Sequence, residues 1–123
     1  MLDKPTPSEL LGTVVKFLHD ELMPQLAGHH AFQLRVSCNV LELIARQIAI
    51  EPSASVAERD RLANLLGHGG ELSDLNAELA RSIAEGRFSL ATPGLADHLW
   101  AATLDKLAVD QPRYGAYQIE IAR

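Results

Sequence analysis

Apolar residues recur along most of this chain at intervals of three and four, the period of an α-helix rather than of a strand. The pattern is densest from Ala31 to Ile50, AFQLRVSCNVLELIARQIAI. On a helical projection Phe32, Leu34, Val36, Val40, Leu41, Leu43, Ile44, Ala45 and Ile48 fill about half of the circumference. Arg35, Asn39, Glu42 and Arg46 share the remaining arc. A surface helix carries an apolar stripe only roughly 100° wide, so this stretch is expected to be a central helix packed on two sides. Gln33, Ser37 and Gln47 interrupt its apolar side and need hydrogen-bond partners if they are buried.

Upstream, Thr6-Pro7-Ser8-Glu9 reads as a helix start, with Thr6 as N-cap, Pro7 first in the helix and Glu9 closing a capping box. Leu10, Leu11, Val14, Val15, Leu18 and Leu22 give that helix one core face, and Pro24 is expected to end it at Met23. Met1 to Pro5 reads as a short leader. Pro24 to Gly28 is a connector in which Leu26 plugs the core, and Glu51-Pro52 is expected to stop the central helix. Ser55 and Glu58 read as a second capping box, opening a helix that ends at Gly67. His68-Gly69-Gly70 is expected to be the most flexible loop. Ser73 is placed to cap the next helix, which closes at Gly86 and carries a stripe of Leu75, Leu79 and Ile83. The linker Arg87 to Ala91 is expected to lay Phe88 and Leu90 onto the bundle. Thr92-Pro93 repeats the opening logic for a helix from Gly94 to about Asp110, which Pro112 breaks. Residues 113–123 form a tail with a helical or extended ending. The expected fold class is all-α, a single-domain bundle of about five helices over residues 1–123 with a central buried helix.

Composition agrees with that picture and removes several functions. A chain of 123 residues, 47% hydrophobic and 22% charged, can build a core without disulfides or metal. Its net charge is −5 and it has no basic run. Nucleic-acid affinity comes largely from neutralising phosphates, so no nucleic-acid partner is expected, and no anionic membrane surface either. No run approaches the ~18–20 apolar residues that span a bilayer. The lone cysteine, Cys38, cannot form an internal disulfide. With no signal peptide, it points to a cytoplasmic protein. Cys38 itself reads as an inert small core residue.

Candidate chemistry is thin. His29 and His30 are adjacent, no histidine pair has the spacing of a helical zinc site, and His19-Asp20-Glu21 reads as a solvated patch. His68-Gly69-Gly70 lacks the Lys-Ser/Thr that follows a phosphate loop, and no nucleophile elbow or kinase signature is present. No catalytic residue, metal or cofactor is therefore expected. On the last long helix Leu95, Leu99, Thr103 and Leu107 define an apolar arc into which Lys106 and Asp110 project, one turn apart, with Arg113 and Tyr114 close behind. Charges on an apolar face call for pairing. The four residues are thus either a clamp for the tail or a binding site. Arg35 and Asn39, one turn apart on the central helix, form a second candidate, as a structural network or as the wall of a groove.

Three segments carry a family resemblance: D-K-P-T-P-S-E-L-L from Asp3, F-Q-L-R-V-S-C-N-V-L from Phe32, and T-L-D-K-L-A-V-D-Q-P-R-Y from Thr103. Together they resemble an uncharacterised bacterial all-helical domain family found beside, or fused behind, aminoglycoside-phosphotransferase-like kinases, often near acyl-CoA dehydrogenase genes. The resemblance covers nearly the whole chain, and the last segment is its most specific part. Gln111 stands where related sequences tend to read Asn, which sets its amide one methylene further out. The resemblance implies a non-catalytic accessory or interaction module for a phosphotransferase-like kinase, and the broad apolar helix allows a homodimer. The alternative is a small-molecule binder or enzyme using Lys106, Asp110, Arg113 and Tyr114, with Arg35 and Asn39.

Overall fold

The computed structural model describes residues 3–123, so Met1 and Leu2 of the expected leader lie outside the described residues. The helices are α1 (Pro7–Phe17), α2 (Gly28–Leu66), α3 (Leu72–Ala84), α4 (Leu95–Asp110) and α5 (Gly115–Ile121), with no strand among the described residues. The fold is all-α, and α2 is its central helix. Two compact units divide the chain, one ending at Ile50 and the other spanning Glu51–Arg123. α2 contributes its first part to one unit and its second part to the other.

In the first unit α1 begins as its sequence dictates. The Glu9 N–H donates to Thr6 Oγ1 and the Thr6 N–H to Glu9 Oε2, both at 3.1 Å, which completes the capping box. Past Phe17 the helix widens into a π-helical turn, Leu18–Leu22, and then tightens into a 3₁₀ turn, Met23–Gln25. Pro24 therefore sits inside the 3₁₀ turn rather than just beyond the helix, because a proline in a first turn forfeits no hydrogen bond. The Ser8 hydroxyl donates to the Ala45 carbonyl at 3.1 Å. For helices of this length that contact makes α1 and the first part of α2 antiparallel. Among the described residues of this unit only Val15 and Cys38 are buried.

That narrow seam leaves much of the α2 pattern uncovered. Phe32, Val36, Val40, Ile44 and Ile48, four residues apart, form an exposed stripe. The expected packing on two sides is not found in this unit: the buried side is centred on Cys38, and the stripe turns away from it. Gln33, Ser37 and Gln47 lie on the exposed side as well, and the Ser37 hydroxyl bonds back to the Gln33 carbonyl at 2.9 Å.

The expected stop at Pro52 does not occur. α2 runs through it without interruption to Leu66, with Pro52 in its interior. Ser53, Ala54 and Ser55 are helical, and the expected capping box of Ser55 and Glu58 is thus absent. Instead Glu58 Oε1 accepts from Asn76 Nδ2 of α3 at 3.2 Å. The proline preference acts on single residues, whereas tertiary packing of the flanking turns acts on the whole helix and here outweighs it.

In the second unit Leu62, Leu75, Leu79 and Leu95 form the core, with Leu65, Leu66, Leu72 and Phe88 packed against it. Phe88 meets its expectation; Leu90, at 78% exposed, does not. α3 starts two residues earlier than its serine suggested, with Glu71 rather than Ser73 as N-cap. Its inward stripe turns from Leu79 to buried Ser82, leaving Ile83 exposed. The cause is the helix end: the Gly86 N–H bonds to the Ile83 carbonyl at 3.1 Å and the Arg87 N–H to the Ser82 carbonyl at 2.9 Å. This double closure needs the left-handed φ of 78° that Gly86 supplies. Thr92 does not cap α4. Its hydroxyl accepts from the Ser89 N–H at 2.9 Å, and Gly94 takes the N-cap position with φ 85°. The tail is helical: α5 follows Tyr114, and Gln118 Nε2 donates to the Pro112 carbonyl at 3.2 Å.

Candidate functional site

The residues singled out by sequence fall into both units. Arg35 and Asn39 lie on the first, and both are exposed. Lys106 and Asp110 on α4, and Arg113 and Tyr114 beyond its end, belong to the second and are exposed too. Among the described residues Lys106 and Asp110 form no ion pair. The pairing argument failed because the arc that holds them faces outward: Leu99 and Trp100 are also exposed. The inward side of α4 runs through buried Leu95 and His98 and on through half-buried Ala102, Asp105 and Val109. The buried side thus passes through a histidine that the apolar spacing skips.

His98 is one half of a pair that the sequence did not reveal. Arg61 Nε on α2 donates to His98 Nδ1 at 3.1 Å. A ring nitrogen that accepts from a guanidinium carries no proton, so the imidazole is neutral and its proton sits on Nε2. Burial pushes the His98 pKa below its ordinary value, the adjacent Arg61 charge pushes the same way, and Glu58 opposes them. Arg61 Nη2 lies 4.0 Å from Asp105 Oδ2 and, though buried, has no hydrogen-bond partner. An open cleft of about 290 Å³ adjoins the pair, lined also by Asn64, Leu65, Pro93, Gly94 and Asp97. A Cβ on Gly94 would stand at ordinary contact distance, 3.5 Å, from Leu65 Cδ2, and it is the left-handed φ of 85° that favours glycine there. The cleft offers a guanidinium, an imidazole and a carboxamide, groups that hold a polar ligand. It contains no serine, threonine, cysteine, lysine or tyrosine to attack one. The available signal was weak: Arg61 opens the leucine-rich run RLANLL, and Asp97 and His98 interrupt LADHLW.

The loop expected to be most flexible is tied down at one residue. His68 Nε2 lies 2.8 Å from Glu78 Oε2 on α3, and Nδ1 lies 3.0 Å from the Gly69 carbonyl. Both neighbours are acceptors, so the imidazolium satisfies them best. The Gly69 carbonyl first and Glu78 second raise the His68 pKa. Cys38 is buried within α2, and burial, then Glu42, raises its thiol pKa. Among the described residues no three His, Cys, Asp or Glu side chains cluster to hold a metal ion, and no helix is long and apolar enough to cross a membrane.

The two histidines give opposite pH signatures. His98 binds its proton less well in the folded chain than in the unfolded one. Its contribution to stability is therefore complete above the ordinary value of 6.5 and is lost as pH falls below it. His68, with a raised pKa, contributes below 6.5 and loses that contribution as pH rises through its folded value. In a His68→Gln background the urea midpoint is expected to climb from about pH 5 to about pH 7.5. Adding His98→Gln is expected to flatten that rise, and an unchanged slope would remove His98 as its source.

The family described as "Domain of unknown function (DUF6285)" matches this chain over residues 24–114. The chain belongs to that family. No curated protein and no solved structure matches it. The matched span covers α2, α3 and α4 and ends at Tyr114, the last residue of the third segment quoted above. The opening segment from Asp3 and the short α5 lie outside it, so the family shared here is the central helix with its two partners in the second unit. Both Arg61 and His98 fall within the match.

Proposed function

We propose that this member of the family is a non-catalytic interaction module. One observation carries the reading: the first unit exposes eight large apolar side chains, Leu10, Val14 and Phe17 on α1 and the five-residue stripe of α2. Exposed apolar surface gathered on one unit, rather than scattered singly, marks a binding face. The family resemblance makes a phosphotransferase-like kinase the partner to test. The outward group of Lys106, Asp110, Arg113 and Tyr114 on the second unit is the place to test for a kinase contact, separately from the apolar face of the first. A tagged full-length chain is expected to recover such a kinase from the native bacterial lysate, identified by mass spectrometry. Arg113→Ala is expected to reduce that recovery about tenfold, equivalent to ~1.4 kcal/mol. Recovery that Arg113→Ala leaves intact would move the contact away from α4, and recovery of no kinase would end the kinase reading. A second reading, a small polar ligand held beside Arg61 and His98, is favoured by the unpartnered Arg61 Nη2. Thermal stabilisation by nucleotides or acyl-CoA compounds would support it.

A further inference from the structure

We infer that the exposed apolar face of the first unit pairs with the same face of a second copy of this chain in a two-fold symmetric dimer. The inference rests on the interaction-module reading and names the partner of that face. On the α2 part of the face, Val40, Ile44 and Ile48, the neighbouring exposed positions are Gln33, Ser37 and Gln47 with no charged side chain among them, while exposed Arg35 falls on another arc of the helix. The centre of the face thus offers nothing for a charged partner to complement, and depletion of charge is what the core of a protein interface shows.

The two contributing helices present one continuous face. Measured around each helix from its buried side, Leu10, Val14 and Phe17 on α1 and Val40, Ile44 and Ile48 on α2 are offset by roughly 50–140° in the same rotational sense. In an antiparallel pair, equal senses fall on the same side. Side chains of this size carry on the order of 150–200 Å² each. The six residues on that side are between 38 and 54% exposed, while Phe32 and Val36 turn out of it. They offer on the order of 400–550 Å² per copy, an interface of the smaller and weaker class.

The unit also needs a covering layer. Only Val15 and Cys38 are buried in it among the described residues, and units of this length are marginal without oligomerisation or cross-links. A second copy supplies the missing layer to both chains at once, which an unrelated partner cannot do. Two antiparallel helix pairs stacked face to face make a four-helix core through an isologous interface. Because each chain carries a net charge of −5, added salt should tighten the dimer by screening repulsion.

The test is sedimentation equilibrium of the full chain from about 1 to 100 µM, at low and high salt. The expected result is a species of twice 13.4 kDa, tightened by salt. Val40→Glu should raise its dissociation constant at least tenfold with helical circular dichroism intact. Phe17→Glu, on the α1 side of the same face, provides an independent reading should the first variant lose helicity. A dimer that both variants leave intact overturns the inference by placing the interface elsewhere. A wild-type monomer at the highest concentration also overturns it, and a dye for exposed apolar surface then separates the two readings. If that monomer binds the dye and Val40→Glu removes the signal, the face serves another protein and the interaction-module reading stands alone. If it does not bind the dye, both readings fall.

Discussion

Replacing Leu62 by alanine is expected to lower the stability of the second unit by about 2–5 kcal/mol, the largest loss of any single substitution considered. Leu62 is 0% exposed and meets Leu75, Leu79 and Leu95 from two other helices. Truncating it removes the burial of its isobutyl group and also opens a void that three separate helices would have to move to fill. A mid-core void closes poorly, which puts the cost in the upper part of the Leu→Ala range. Urea unfolding followed by circular dichroism measures it. Leu90→Ala, at the most exposed large apolar residue, should stay within about 0.5 kcal/mol. Equal effects of the two substitutions would show that Leu62 is not the centre of the core.

Pro52→Ala is expected to act in the opposite direction and to stabilise the protein by about 1–3 kcal/mol. Pro52 sits inside α2, where it brings no N–H to the carbonyl of Ile48 and its ring crowds that turn. Alanine restores the donor and relieves the crowding. The gain is reduced by the freedom that alanine returns to the unfolded chain, for which about 0.4–1 kcal/mol is usual. The denaturation midpoint should rise and the helical signal should not fall. A lower midpoint would mean that the proline shape itself is required at this point of α2.

Pro52 also marks where the fold ceased to be legible in the sequence. The capping box at Thr6, the end of α2 at Gly67 and the end of α4 at Asp110 could be read because each depends on chemistry within one turn. Whether a helix survives an internal proline depends on what its flanking turns pack against, and no local window holds that information. The same limit turned the α4 arc. Lys106 and Asp110 looked inward because they share the arc of Leu99, Thr103 and Leu107, whereas the buried side of α4 runs through Leu95 and His98, where Arg61, thirty-seven residues earlier, bonds the imidazole. The exposed α2 stripe is the complementary case. Its residues were read correctly as apolar, but an exposed apolar face has the same composition as a buried one, so the pattern cannot tell them apart. Of the candidate site, sequence located the exposed polar residues and missed the buried pair, since a pair that exists only across two helices leaves no motif.

The seam between α1 and α2 gives the first unit a chemical clock. Cys38 is the only cysteine of the chain and lies at that seam, 2% exposed. A thiol-specific reagent can reach it only when the two helices part, and the raised pKa keeps it in its unreactive form between openings. Its labelling rate, compared with that of a free thiol, therefore counts how often the first unit opens while the rest of the chain stays folded.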